Sequence, residues 1–82
     1  SFNRPKKRKQ TSMINFPVLE FGSEGVYVYV MQAALKWWGY PCDMTGRFDE
    51  HTLPPLRKFR HAHYQTGDTI CDAVTWKNLF DY

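Results

Sequence analysis

One spacing appears twice in this chain. Val28-x-x-Met31-Gln32-x-x-Leu35 precedes a turn carrying Gly46, Phe48, Asp49 and Thr52; Leu56-x-x-Phe59-Arg60-x-x-His63 precedes a turn carrying Asp68, Ile70, Asp72 and Thr75. The helical stretches stand 28 residues apart and the two Asp-x-x-Thr turns 23 apart. Self-similarity at such a period marks a domain assembled from copies of one helix-then-turn unit. The copies account for most of the 82 residues, which leaves no stretch in which to build an active site.

A chain of this length makes one small domain, whose core must be dense in large side chains because so little surface is buried. Six Phe, five Tyr and three Trp meet that demand. The formal charge of +3 is an uneven average. Arg4, Lys6, Lys7, Arg8 and Lys9 lie in the first twelve residues, and the remainder is mildly acidic, with six basic and eight acidic side chains. Residues 1–15, polar and without periodicity, read as a basic flexible linker or tail, and residues 16–82 as the folded domain. Ser at position 1 and the lack of a signal-like apolar run suggest a piece of something longer. No run approaches the roughly 20 apolar residues that cross a bilayer, so no membrane partner is expected.

Phe16-Pro17-Val18-Leu19 is a short apolar lead-in, and Ser23 is placed to cap a helix over about 25–38. Val28, Met31, Leu35 and Trp38 form its core stripe, and Gly39 falls where a left-handed C-terminal cap belongs. Pro54 and Pro55 are tolerable only in a first turn, whose N–H groups lack internal partners anyway. The second helix is therefore predicted to start at Thr52 or Leu53 and run to about Tyr64, with Leu53, Leu56, Phe59 and His63 on one face. Thr75 is the expected cap of a last short helix through Phe80. The predicted fold is all-α, a small three-helix bundle built from the duplicated unit.

In order along the chain, Leu19, Gly22-Ser23, Gly25, Val28, Gln32, Leu35 and Gly39-Tyr40 are followed by Gly46, Phe48, Thr52 and Phe59, then Asp68, Thr75-Trp76 and Leu79. This ordered set resembles the peptidoglycan-binding-like domain found beside bacterial and phage cell-wall hydrolases, over about residues 17–80. Thr45 stands where that family has its first Asp, Asp49, Thr69 and Asp72 replace glycines, and Arg60 replaces a Gln. Asp49 and Asp72 read as backbone organisers, since their side chains can accept from nearby N–H groups. The resemblance implies a non-catalytic module, located at the bacterial cell wall or on a phage lysin acting on it. It would bind peptidoglycan and target an attached catalytic domain of an endolysin or autolysin. Tyr40, Arg47, Arg60 and Tyr64, with Gln32 at the family-matched polar position, are the candidate ligand contacts. Aromatic faces would meet sugar C–H surfaces and guanidinium groups would meet stem-peptide carboxylates.

Other chemistries find less support. General acid–base work needs a cleft with perturbed carboxylates, which a three-helix module of this size hardly supplies, so no catalytic residues are expected. His61 and His63 point about 200° apart on a helix, and Cys42 and Cys71 lack zinc-site spacing, so no metal or other cofactor is expected. The cysteines read as free packed thiols rather than a bridge. The segment Arg4–Lys9 has the composition of a nucleic-acid tail, but no aromatic residue interleaves with its charges, so a linker is preferred and no nucleic acid is expected. A second stripe, Val26, Val30, Ala33 and Trp37, makes the first helix apolar on both sides. Either Met13, Ile14 and Phe16 fold back over it, or it is an interface with a neighbouring domain or a second copy. An interdomain or homo-oligomerisation module without glycan binding is thus the alternative function.

Overall fold

The computed structural model describes residues 16–81. Within them lie α1 (Val26–Trp37), α2 (Leu53–Ala62) and α3 (Ala73–Phe80). The described residues form the expected all-α bundle, with isolated antiparallel bridges joining Leu19 to Cys71 and Glu24 to Arg47. The proposed linker over 1–15, with Met13 and Ile14, lies outside the described residues. No described helix is long and apolar enough to cross a membrane.

The 3.6-residue period of α1 sends Val28, Met31 and Leu35 into a common interior with Phe48, Leu56, Phe59, Trp76 and Leu79, all buried. Each of these large side chains contributes about 1.5–3 kcal/mol by leaving water. Trp38, the fourth member of the expected stripe, stays 40% exposed, because its indole Nε1 reaches out to donate to the Leu79 carbonyl at 2.8 Å.

Both long turns open on the same helix-ending motif. At α1, the Gly39 N–H donates to the Lys36 carbonyl and the Tyr40 N–H to the Leu35 carbonyl, with Gly39 left-handed at φ 97°, as expected. At α2, the Tyr64 N–H donates to His61 and the Gln65 N–H to Arg60, with Tyr64 at φ 61° in the glycine-type position. This closure ends α2 at Ala62, two residues short of the predicted Tyr64.

The N-terminal caps differ from expectation. Ser23 does not cap α1; its Oγ accepts from the Glu20 N–H at 3.0 Å to close the preceding turn, and Gly25 holds the cap position with no side-chain bond. Thr52 precedes α2 as predicted, with Pro54 and Pro55 in the first turn, but its hydroxyl turns inward and makes no capping bond. The cap of α3 is Asp72, not Thr75: the carboxylate accepts from the Thr75 N–H at 3.0 Å and the Thr75 hydroxyl at 2.9 Å. Asp72 stands immediately before the helix, where its carboxylate reaches the N–H three residues on and meets the positive end of the helix dipole, whereas Thr75 is already inside the first turn.

The lead-in ties the bundle together. Leu19 exchanges both backbone bonds with Cys71, at 3.0 and 2.8 Å, and Pro17 accepts from the indole Nε1 of Trp76 at 2.7 Å. Phe16 stacks on Trp76 with ring centroids 4.3 Å apart and on Phe80 at 5.8 Å.

Candidate functional site

Each turn is framed by one polar side chain from the helix before it. Gln32, 1% exposed on α1, donates through Nε2 to the Arg47 carbonyl at 3.0 Å and the Thr52 hydroxyl at 3.1 Å. Its Oε1 accepts from the N–H groups of Thr45 at 2.8 Å and Gly46 at 2.9 Å. Arg60, 5% exposed on α2, donates through Nη1 to the Ile70 carbonyl and the Thr75 hydroxyl, both at 2.9 Å, and through Nη2 to the Thr66 carbonyl at 2.9 Å. Both residues were expected among the ligand contacts; here their polar groups are engaged by their own turns.

Asp72 completes the second frame, 3.7 Å from Arg60 Nη1. Burial alone would raise its carboxyl pKa. The Thr75 N–H and hydroxyl, the Arg60 guanidinium and the Gln65 amide outweigh that and hold it below the ordinary carboxylate value. Asp49 organises its turn likewise, accepting through Oδ1 from the His51 N–H at 3.0 Å. Cys42 and Cys71 are both free thiols. Burial, reinforced by nearby carboxylates, pushes both upward in pKa, so neither is primed as a nucleophile. His63 packs its ring 4.2 Å from that of Phe59, with Nδ1 2.9 Å from the Phe59 carbonyl. Among the described residues no three His, Cys, Asp or Glu side chains gather into a metal-binding group.

The other three candidate contacts differ in burial. Tyr40 is half-buried, edge-on to Phe59 at 5.8 Å. Arg47 is exposed and fixed through its backbone bridge to Glu24. Tyr64 is 94% exposed on its left-handed backbone, a conformation that costs a bulky residue about 1–2 kcal/mol.

A concavity lies elsewhere, between α1 and α3. It is a groove of about 560 Å3, within the range of small-ligand sites. Ala33, Ala34 and Leu79 are among its small or buried lining residues, and Tyr29, Trp37, Trp38 and Phe80 supply aromatic walls. Val30 and Asp81 complete the lining, and Asp81 is the one charged residue in it. Three of the four stripe residues therefore line the groove, whereas Val26 is exposed outside it. Phe16 packs its ring on Trp76, Phe80 and Tyr27. Sequence reasoning missed Tyr29, Phe80 and Asp81. The adjacent Trp37 and Trp38 were a usable signal, because neighbours about 100° apart on a helix cannot both face its core.

No protein-family model matches the chain, and no curated protein sequence does. Solved structures do match. The SleB N-terminal domain superposes with a TM-score of 0.75 at 28% identity, over 83% of this chain and 94% of that one. A peptidoglycan-binding protein from Clostridioides difficile, solved in complex with glutamine hydroxamate, gives a TM-score of 0.74 at 25% identity over 78% of this chain. This chain spans only 40% of that protein's length. In fold as in ordered motifs, the chain resembles the peptidoglycan-binding-like domains.

Proposed function

We propose that this chain is a peptidoglycan-binding module without catalysis of its own, which holds an attached cell-wall hydrolase such as an endolysin or autolysin on its polymer. The observation that carries this reading is the likeness to the Clostridioides difficile peptidoglycan-binding protein over 78% of the chain. An aromatic-walled groove suits the role, since the module needs a surface to grip and no reactive centre. Tyr40, Arg47 and Tyr64 are the further contacts we assign to the polymer, the tyrosines against sugar faces and Arg47 against stem-peptide carboxylates. Tethering makes modest affinity sufficient, because it raises the effective concentration of the enzyme at the bacterial wall.

Sedimentation with insoluble purified cell walls tests the proposal. The chain is expected to pellet with the walls, and to do so after removal of residues 1–12. Retention lost with those residues would reduce the interaction to charge attraction by a basic tail. Release of soluble wall fragments by the chain alone would overturn the non-catalytic reading.

A second reading is favoured by the groove's composition: Val30, Ala33 and Trp37 present an apolar surface suited to a neighbouring domain or a second copy of the chain. Analytical ultracentrifugation of wild type and Trp37→Glu separates the cases. A concentration-dependent dimer abolished by the substitution supports self-association, and monomers in both remove it.

A further inference from the structure

We infer that the α1–α3 groove takes an alkylammonium side chain, that of a diamino acid in the wall peptide, with its methylenes on the aromatic walls and its charge at Asp81. The inference rests on the peptidoglycan-binding reading and names which part of the polymer this groove holds.

The lining discriminates between the chemistries that peptidoglycan offers. A pyranose ring carries polar substituents around its edge, and each would lose water on entering. Few groups stand ready to replace that water: Trp38 Nε1 already donates to the Leu79 carbonyl, which leaves chiefly the Tyr29 hydroxyl, the Trp37 indole N–H and the Asp81 carboxylate. A chain of methylenes loses no hydrogen bonds there and gains apolar contact.

Three features favour a positive charge at its tip. Indole and phenyl faces attract ammonium groups through their quadrupoles. Leu79, Phe80 and Asp81 belong to the C-terminal end of α3, where the helix dipole is negative. Asp81 itself forms no ion pair among the described residues, whose only bridges are Glu50 with His51 and Asp72 with Arg60. Lys36 and Lys77 lie in the last turns of α1 and α3 but do not line the groove.

The test compares retention of the full chain on insoluble peptidoglycan before and after acetylation of its free amines. Acetylation is expected to lower retention of the wild type roughly five- to tenfold. Asp81→Asn should bind untreated wall more weakly by a similar factor and be indifferent to acetylation. Asparagine keeps the left-handed backbone of position 81 (φ 55°), so the fold is preserved, which circular dichroism verifies. A contribution from the basic residues 4–9 would change retention in the opposite direction, because acetylation removes positive charge from the wall. Undiminished wild-type retention on acetylated wall, or an Asp81→Asn variant as sensitive to acetylation as wild type, overturns the inference while leaving peptidoglycan binding intact. No retention on either polymer overturns both.

Discussion

Arg60 Nη1 donates to Thr75 Oγ1 across 2.9 Å, joining α2 to the first turn of α3. Gln32 and Thr52 make the corresponding bond in the first repeat, at 3.1 Å. Two chemically different side chains thus perform one task. The neutral amide both donates and accepts, gathering N–H groups and carbonyls of its turn. The guanidinium only donates, so the second turn offers it two carbonyls, a hydroxyl and a carboxylate.

Replacing Arg60 by Met keeps much of the apolar stem but takes the donor from the Ile70 and Thr66 carbonyls, while the Thr75 hydroxyl keeps Asp72 and Gln65 as partners. The expected loss is about 3 kcal/mol in urea unfolding. A double-mutant cycle with Thr75→Val should return a coupling of about 1.5–3 kcal/mol, the range of hydrogen bonds to charged groups.

The depressed pKa of Asp72 has a defined sign in stability. Its contribution is fully present above the ordinary carboxylate value, near pH ~4, and is lost as pH falls through the lower folded-state value. Asp72→Asn removes this titration, so unfolding free energies of the two proteins should converge as pH is lowered from about 6 to about 2. Asp72→Ala, which also removes the cap, should cost about 1 kcal/mol at neutral pH.

Tyr64→Gly relieves a left-handed tyrosine, a gain offset in part by the greater freedom of glycine in the unfolded chain. The net expectation is a stabilisation of about 0.5–1 kcal/mol by thermal or urea unfolding. If Tyr64 grips the polymer, as proposed, the same variant should sediment less with cell walls while being the more stable protein.

Trp37→Ala should behave in the reverse way. The side chain is 79% exposed, and its described ring contact is edge-on to Trp38 at 5.4 Å, so stability should change by no more than about 1 kcal/mol. Wall retention should fall several-fold, because one wall of the groove is gone.

The helices, the shared interior of Val28, Leu56 and Leu79, the glycine stop at Gly39 and the constraint from Pro54–Pro55 were all legible in the sequence, because each rests on local chain stereochemistry or on periodicity. The roles of Gln32 and Arg60 were not. A polar residue beside a helical core stripe looks the same whether it meets solvent or a folded-back turn, and only the path of the turn decides. Tyr64 in a glycine-type position was equally invisible, since the backbone bonds that close α2, from the Tyr64 and Gln65 N–H groups, set its conformation while its side chain stays exposed. The groove depends on where α3 lies against α1, which no spacing within either helix encodes.

The Leu19–Cys71 pair and the Pro17–Trp76 bond carry a mechanical meaning. If the module anchors an enzyme to the wall, as proposed, tension runs along its own backbone. Tension arriving from the N-terminal side meets the aromatic stack of Phe16 and these bonds before it can reach α1 or α2. Because they fasten the entering strand directly to the last turn and to α3, the force is delivered to the far end of the sequence, and the repeats between them are clamped rather than unravelled one at a time.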